Sequence, residues 1–149
     1  MAEKTAEQKL AVILLRGEVG MSGRIKMTLD QLRLSRKNHC VVISNKSETT
    51  NMLRKVNDYI TWGEINEETF NELADKRGEL YNGLEEDKKK KISYSHRYFM
   101  FNNKKIKKVF RLNSPVKGFG KKGLKASFKN GGALGYRGDK INELIKRMI

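Results

Sequence analysis

The sequence predicts an α/β fold whose first elements follow the order strand, helix, strand, helix, strand. Short apolar runs typical of strands alternate with segments in which apolar residues recur at helical spacing. The chain has 149 residues, the usual length of one domain, and its clearest apolar segments lie before residue 66. We therefore expect an α/β core over residues 1–66. Residues 67–149 should form a helical insertion and a basic, glycine-rich extension.

The three strands are predicted from short runs of apolar or β-branched residues. The first run, Leu10 to Leu15, is continuous. The second, His39 to Ile43, is rich in β-branched residues, and the third begins near Ile60, where large apolar residues alternate with others. Continuous apolar runs of this kind suit strands that are covered on at least one face.

Two helices are predicted between these strands. The first is clearest at residues 28–34, and its apolar face comprises Ile25, Leu29 and Leu32. The predicted N-cap of the second is Ser47, and its apolar positions are Met52, Leu53, Val56 and Tyr59. The spacing of these residues indicates two amphipathic helices.

An acidic third helix and a C-terminal helix are marked by their ends. Asn66 is the predicted N-cap of the third helix, and Gly78 is predicted to end it in a left-handed conformation. The final helix is predicted to follow a cap at Asp139 and to dock on the core through a narrow apolar stripe.

The aromatic segment 92–101 is a candidate strand or hairpin arm. Residues 114–138 hold seven glycines and the only proline, which predicts a loop.

Charge is segregated along the chain. Residues 88–149 hold 19 basic side chains against two acidic ones, a net charge of +17, whereas residues 67–87 carry −6 and residues 1–66 carry +4. A block of one sign repels itself unless an external polyanion neutralises it. We therefore expect the C-terminal part to be loose when free and ordered when bound, with nucleic acid as the partner.

Composition argues against several classes of protein. The single cysteine, Cys40, permits no internal disulfide and argues against a zinc site, which favours a reducing compartment and a cytoplasmic location. The longest apolar run is far shorter than the roughly 20 residues that span a bilayer, so no membrane partner is expected. The sequence contains no Walker-type lysine motif and no nucleophile with a matching base, and it predicts no enzyme, cofactor or metal.

Two basic clusters are candidate nucleic-acid contacts. In the first, the cations surround apolar residues that could anchor the segment while the cations reach phosphates; these are Lys104, Lys105, Lys107, Lys108 and Arg111. The second lies where the first helix meets the second strand and comprises Arg33, Arg36, Lys37 and His39. The alternatives are a solvated charged face for the first and a helix end whose cations meet the helix dipole for the second.

The glycine-rich segment 118–123 matches the G-x-G-x-x-G pattern of dinucleotide sites. That pattern requires a preceding strand and a following helix, and the flanking residues fit neither. We expect instead that the glycines let the backbone approach RNA while lysines contact phosphates; the lysines are Lys117, Lys121, Lys122, Lys125 and Lys129. Aromatic residues nearby could stack on unpaired bases or anchor the core, namely Phe119, Phe128 and Tyr136. Arg137 is a further candidate RNA contact.

Several separated motifs follow one another in a recognisable order. They are Arg16-Gly17, Thr28-Leu29 with Leu32-Arg33-Leu34, residues 36–42, residues 59–64, residues 110–115 with Gly118-Phe119, and residues 135–138. Together they resemble the large-subunit ribosomal protein thirty of archaea, whose eukaryotic counterpart is protein seven. The long basic N-terminal arm of the eukaryotic form is missing, and the bacterial form would stop soon after the core, so the archaeal type fits best.

The resemblance implies a small two-layer α/β sandwich with an antiparallel sheet related to the ferredoxin-like layout. The strand directions rest on the resemblance, because strand–helix–strand order alone would suggest a parallel crossover. It also implies a structural constituent of the large ribosomal subunit that binds rRNA beside neighbouring ribosomal proteins, with 5S rRNA left open as a partner. The alternatives are a regulatory RNA-binding module outside the ribosome and a nucleotide-dependent, RNA-modifying enzyme.

Overall fold

The computed structural model describes residues 8–149. Its strands are β1 (Lys9–Leu14), β2 (His39–Ser44), β3 (Ile60–Glu64), β4 (Tyr98–Phe101), β5 (Lys104–Lys107), β6 (Val109–Arg111) and β7 (Gly135–Tyr136). Its α-helices are α1 (Gly23–Gln31), α2 (Ser47–Lys55), α3 (Glu67–Arg77) and α4 (Lys140–Met148). The first five elements therefore alternate as the sequence predicted.

Five strands form one mixed sheet in the order β6-β2-β1-β3-β7. β1 lies at the centre and is antiparallel to both β2 and β3, β6 is antiparallel to β2, and the short β7 is parallel to β3. β4 and β5 form a separate antiparallel hairpin. The α/β class and the antiparallel core are thus confirmed.

β1 is buried on both faces, which explains its unbroken apolar run. Leu10, Val12 and Leu14 belong to one hydrophobic cluster, together with Leu29 of α1 and Leu53 of α2. The alternate residues of β1 face a second cluster, to which α3, α4 and β6 contribute. Each fully buried leucine contributes roughly 1.5–3 kcal/mol to folding. The sheet with α1 and α2 forms the predicted two-layer sandwich, and α3 and α4 cover the opposite face.

The amphipathic α4 packs on this opposite face. Its predicted apolar stripe is buried and comprises Ile141, Leu144, Ile145 and Met148. Between them lies a buried polar residue, Asn142, whose Oδ1 accepts a hydrogen bond from the backbone N–H of Asn66 at 2.9 Å. Its Nδ2 donates to the carbonyl of Glu64 at 3.0 Å. The side chain of Asn142 therefore ties α4 to the junction between β3 and α3.

The helix ends differ from those predicted. Lys46, not Ser47, is the N-cap of α2, and its backbone N–H donates to Thr49 Oγ1 at 3.1 Å. α1 begins at Gly23 and ends before Leu32, so the predicted segment 28–34 covers only its second half. Asn66 and Asp139 occupy the predicted cap positions, but neither side chain makes a capping hydrogen bond.

Gly78 ends α3 for a reason other than the predicted one. Its φ of −67° is not left-handed. A Cβ at this position would instead lie 2.3 Å from the carbonyl oxygen of Ala74 and 3.0 Å from the side chain of Ile106. Glycine is required mainly because the last turn of α3 itself leaves no room for a Cβ, and β5 adds a tight contact beside it.

The β4–β5 hairpin turns on two asparagines. Asn102 and Asn103 have φ values of 47° and 60°, the left-handed conformations that a tight two-residue hairpin requires and that asparagine tolerates. The other edge of β5 is also occupied, because Lys107 N–H donates to the carbonyl of Glu79 at 2.9 Å and Tyr81 N–H donates to the carbonyl of Lys105 at 2.9 Å. The acidic segment after α3 thus lies directly beside the basic hairpin.

Candidate nucleic-acid interface

The connection between β6 and β7 displays five predicted contact residues on the surface. We call residues 116–131 the lysine loop; its exposed cations are Lys117, Lys121, Lys122, Lys125 and Lys129. None of them takes part in an ion pair within the part of the chain that the structure describes. Within the described residues their charges are therefore balanced by no carboxylate, the state in which binding a polyanion releases counterions most readily.

The lysine loop is fastened to the body of the protein from beneath. Phe119 and Leu124 pack against the cluster that contains α4. Arg16 Nε donates to the carbonyl of Leu124 at 3.2 Å, and Arg147 Nη1 donates to the carbonyls of Val116 and Gly118 at 3.2 and 2.9 Å. Phe119 therefore acts as a core anchor, one of the two roles that the sequence allowed.

One glycine of the G-x-G-x-x-G segment has a clear backbone role. Gly120 has a φ of +123°, a conformation that other residues rarely adopt, and a Cβ there would lie 3.2 Å from the carbonyl oxygen of Gly131. The segment is followed by only a three-residue 3₁₀ turn rather than an α-helix. The geometry that a dinucleotide fingerprint requires is absent from this segment.

Arg137 is a structural residue rather than a surface cation. Only 7% of it is exposed. Its Nε donates to Thr61 Oγ1 at 2.8 Å, its Nη2 donates to the carbonyl of Ala133 at 2.9 Å, and its guanidinium carbon lies 4.8 Å from the ring centroid of Phe128. Burial lowers the pKa of Arg137 to about 10. This placement leaves little of the Arg137 guanidinium at the surface and gives Phe128 a partner within the protein, while the predicted RNA contact of Arg137 stays a prediction.

Tyr136 lies at the β7 edge of the sheet and is 44% exposed. Its hydroxyl donates to the carboxylate of Glu64 at 2.7 Å, and this bond raises the pKa of Tyr136 to about 12. Its ring centroid lies 4.7 Å from that of Trp62. The ring is thus held in place yet remains open to solvent.

The two basic clusters of the sequence meet at the opposite edge of the sheet. His39 lies opposite Arg111 in the β2–β6 pairing, and a shallow groove of about 330 Å³ is lined by both Arg33 and Lys108. Arg33 Nη2 also donates to the carbonyl of His96 at 2.9 Å. We call this surface the basic edge, defined by Arg33, Arg36, Lys37, His39, Lys107, Lys108 and Arg111.

The acidic segment neutralises part of the basic edge and of the hairpin. The carboxylate of Glu79 lies 3.0 Å from Lys107 Nζ and 3.2 Å from Arg111 Nε. The hydrogen bond from Lys107 lowers the pKa of Glu79. Lys105 forms an ion pair with Glu85, whose hydrogen bond raises the pKa of Lys105. These three cations already have carboxylate partners, which the sequence analysis did not predict.

Other cations of this region have no such partner among residues 8–149. Burial, and secondly the charge of Arg33, lower the pKa of Lys108. Burial, and then the charges of Arg111 and Arg36, likewise lower the pKa of His39, against the opposing effect of Glu79. Lys108 and Arg33 are thus held close together without a carboxylate partner among residues 8–149, and a bound anion would stabilise this arrangement. Lys104 follows the tip of the hairpin and is exposed.

Several classes of site are not seen in the described part of the chain. Residues 8–149 contain no group of three His, Cys, Asp or Glu side chains placed to hold a metal ion. Over the same residues, no helix has the length and apolar character needed to cross a membrane. Cys40 is fully buried and its pKa is raised to about 12 by burial, so the thiol stays protonated, as expected of a small core residue.

Sequence reasoning missed the two arginines that hold the lysine loop. Arg16 precedes the loop by about a hundred residues, and Arg147 belongs to α4. Both donate to backbone carbonyls, which carry no residue-specific signal. By contrast, the Asn102-Asn103 pair is a turn signal that the sequence did contain and that would have placed the hairpin.

Comparison with known proteins relates the chain to one family. Residues 10–60, which span β1 to the start of β3, match the family model described as Ribosomal protein L30p/L7e. A protein of Methanococcus maripaludis named large ribosomal subunit protein uL30 is 41% identical over 154 aligned positions, covering 93% of this chain and 98% of the relative.

Two other archaea contain equally similar proteins of the same name. The relative from Nanoarchaeum equitans is 41% identical over 154 positions, covering 93% of this chain and 97% of its own. The relative from Thermoplasma volcanium is 41% identical over 155 positions, covering 94% of this chain and 92% of its own. Identity at this level, over nearly the full length of both chains, confirms the predicted resemblance: the chain belongs to the Ribosomal protein L30p/L7e family, in its archaeal type.

Proposed function

We propose that this protein is a structural, non-catalytic constituent of the large ribosomal subunit that binds ribosomal RNA and supports subunit assembly and translation in the cytoplasm. Family membership supports the ribosomal role, because relatives that match almost the whole chain are named as large-subunit proteins. One structural observation supports RNA binding. Five exposed lysines lie on one loop that is held to the body of the protein, and they lack carboxylate partners among residues 8–149.

The lysine loop is the proposed principal contact. Apolar anchors and hydrogen bonds from two arginines hold the underside of the loop on the protein. Because the loop backbone is already held in place, RNA binding loses less conformational entropy in ordering the lysines. Lysines that reach phosphates read the shape and charge of RNA rather than its sequence. We therefore propose that this loop lies along an RNA backbone, and that Tyr136 contacts RNA through its exposed ring.

The basic edge is the proposed second contact. It lies beside β6, whereas β7 and Tyr136 lie at the other edge of the five-stranded sheet. Two basic surfaces on opposite edges would allow one small protein to join two segments of RNA. Arg33, Arg36, Lys37, His39 and Lys108 are the proposed contacts here. Lys107 and Arg111 become available once RNA phosphates displace the carboxylate of Glu79 from them. The exposed Lys104 extends this contact surface along the hairpin.

The division of the chain at residue 66 belongs to the same proposal. Residues 1–66 would supply the three central strands with α1 and α2, whereas residues 67–149 would complete the sheet with β6 and β7 and supply the helical insertion, the RNA-binding extension and the docked C-terminal helix. The excess of basic residues after residue 87 supports RNA binding by the later part of the chain.

The proposal is tested by sedimentation of a cell lysate through sucrose gradients at low and at high salt, with the protein detected by antibody. We expect it to travel with the large subunit and to leave only at high salt, because phosphate contacts weaken steeply as salt rises. Sedimentation at the top of both gradients would contradict the ribosomal role and favour a regulatory module outside the ribosome. A competition between 5S rRNA and large-subunit rRNA for the purified protein would decide whether 5S rRNA is a direct partner.

A further inference from the structure

The five-stranded sheet has an open edge within the described residues. β2 pairs with β1 from Cys40 to Ser44. On its other side, β2 pairs with β6 only from His39 to Val41, because the chain turns away at Lys108. Over residues 42–44, no strand among residues 8–149 covers the outer side of β2. A sheet that ends this way leaves backbone groups available to an added strand.

The backbone direction along β2 identifies the free groups. The carbonyl of Gln8 accepts a hydrogen bond from Asn45 N–H, so the even-numbered residues of β1 bond to β2. Ile43 lies opposite one of them and is therefore turned toward β1. Because the bonding direction alternates along an antiparallel strand, Val42 and Ser44 direct their N–H and carbonyl groups away from β1. The Val41–Val109 pairing places the Val42 N–H on the carbonyl of Lys108, and the Ser44 carbonyl already accepts from Lys46 N–H at 3.0 Å and from Thr49 Oγ1 at 2.9 Å. The free groups are therefore the carbonyl of Val42 and the N–H of Ser44. This is the pattern that an incoming strand would pair with.

The open edge lies in a groove of about 520 Å³ with two apolar walls. On one side of the sheet, Phe70 of α3 and Phe99 of β4 line it. On the other side, Leu32 and Met52 line it, next to α1 and α2. An extended chain in this groove would direct successive side chains alternately to the two walls. Apolar residues at odd and at even positions of that chain would therefore both be buried.

The charged residues that line the groove are all cations. They are Lys9, Arg33 and Lys108, and no carboxylate among residues 8–149 belongs to the lining. Lys9 Nζ lies 4.6 Å from the ring centroid of Phe70, at the wall of the groove. The lowered pKa of Lys108, caused by burial and then by Arg33, agrees with a positive charge that lacks compensation. The rim is therefore complementary to an occupant that carries acidic residues.

We propose that the open edge of β2 receives an extended segment of a neighbouring protein, whose backbone pairs with residues 42–44, whose apolar side chains fill both walls, and whose acidic residues meet Lys9 at the rim. The inference rests on the proposed function, which supplies protein neighbours in the large subunit. A second copy of this chain fits poorly, because each copy carries +15 and the same three cations would face one another. RNA fits poorly as well, since it has no counterpart for a strand edge between apolar walls.

The test is site-specific cross-linking in purified large subunits. A photoreactive benzophenone side chain is introduced at Met52, inside the groove, and the matched control carries it at Met27, which is 64% exposed on α1 and does not line the groove. We expect position 52 to form an adduct with an extended, apolar segment of another protein that carries acidic residues, and position 27 to form no adduct with that segment.

A backbone variant tests strand pairing itself. Ser44→Pro removes the outward N–H of Ser44, and proline is tolerated on a free strand edge. We expect this variant to lower the yield of the adduct at position 52 by about tenfold, the upper worth of one hydrogen bond, while the melting temperature changes little. An unchanged yield would overturn pairing at this edge. If the melting temperature falls sharply, Lys9→Glu replaces it, and reversal of that rim charge should lower the yield by a similar factor.

The outcomes separate the inference from the function on which it rests. Absence of the chain from purified large subunits would refute the proposed function. Presence of the chain in the subunits without a protein adduct at position 52 would overturn the inference alone. Adducts with RNA, with a second copy, with residues 1–7 of the same chain or with a basic segment would also overturn it.

Discussion

Neutralising the lysine loop should remove a defined part of the salt dependence of RNA binding. The perturbation replaces Lys117, Lys121, Lys122, Lys125 and Lys129 with glutamine. All five are exposed, and none forms an ion pair within the described residues, so their replacement leaves no carboxylate unpaired there. The anchors below the loop are unchanged, and the melting temperature should therefore stay close to that of the unmodified protein.

The magnitude follows from counterion release. Each phosphate neutralised by a lysine contributes about 0.9 to the slope of log K against log salt on duplex nucleic acid and about 0.7 on single strands. Loss of five contacts should make the slope shallower by about 3.5 to 4.5. Between about 50 and 200 mM salt, the unmodified protein should then lose roughly 10²- to 10³-fold more affinity than the variant.

The assay is a binding titration with large-subunit rRNA by fluorescence anisotropy at several salt concentrations. The matched control replaces the four lysines of residues 88–91, which are also exposed and also lie in the basic part of the chain. We expect the control to change the slope by less than about one. The reasoning fails if the loop variant keeps the original slope, or if the control lowers the slope as much as the loop variant does.

Three further predictions concern residues inside the fold. Gly63→Ala should destabilise the protein by about 1–3 kcal/mol or more in urea unfolding, since a Cβ there would lie 2.1 Å from the carbonyl oxygen of Gly138; an unchanged midpoint would show that the two segments separate easily. Arg137→Met should cost about 1–3 kcal/mol through unpaired buried acceptors yet leave the salt slope of RNA binding unchanged, and a shallower slope would support its role as an RNA contact. His39→Gln should flatten the pH dependence of the melting temperature: the pKa of His39 is lowered from 6.5 on folding, so stability is complete above about pH 6.5 and falls as pH drops below it. Parallel pH profiles of the variant and the unmodified protein would contradict the last prediction.

The core of the fold was predictable because its signals are local. The continuous run in β1, the β-branched β2 and the apolar stripe of α4 each report burial through residue type and spacing alone. Strand direction was not predictable in this way, because helical connections are compatible with parallel pairing. The helix ends also departed from prediction: Gly78 is needed because a Cβ would lie 2.3 Å from the carbonyl oxygen of Ala74, which depends on the backbone geometry at the end of α3.

The sequence predicted which basic residues could form the candidate site. It did not predict which of them are buried or paired within the protein. Every lysine of the loop lies on the surface, as expected for residues that contact phosphates. Arg137 could not be separated from them by sequence, because its partners Thr61 and Ala133 are visible only in the folded chain. The same holds for Phe119, whose aromatic ring is equally suited to stacking on a base and to anchoring a loop.

An acidic segment and a basic segment that are separate in the sequence lie side by side in the folded protein, and this affects how RNA can bind. The acidic segment that follows α3 runs beside β5 and supplies Glu79 and Glu85 to the cations of the hairpin and of β6. These exposed ion pairs are weak, so RNA phosphates can displace them. The hairpin can therefore fold without RNA because part of its charge is already balanced by Glu79 and Glu85. The lysine loop has no internal balance among the described residues and depends on its apolar anchors and on Arg16 and Arg147 instead. RNA binding should accordingly order the two regions unequally: the loop gains compensation that it lacked, while the hairpin exchanges one set of anions for another.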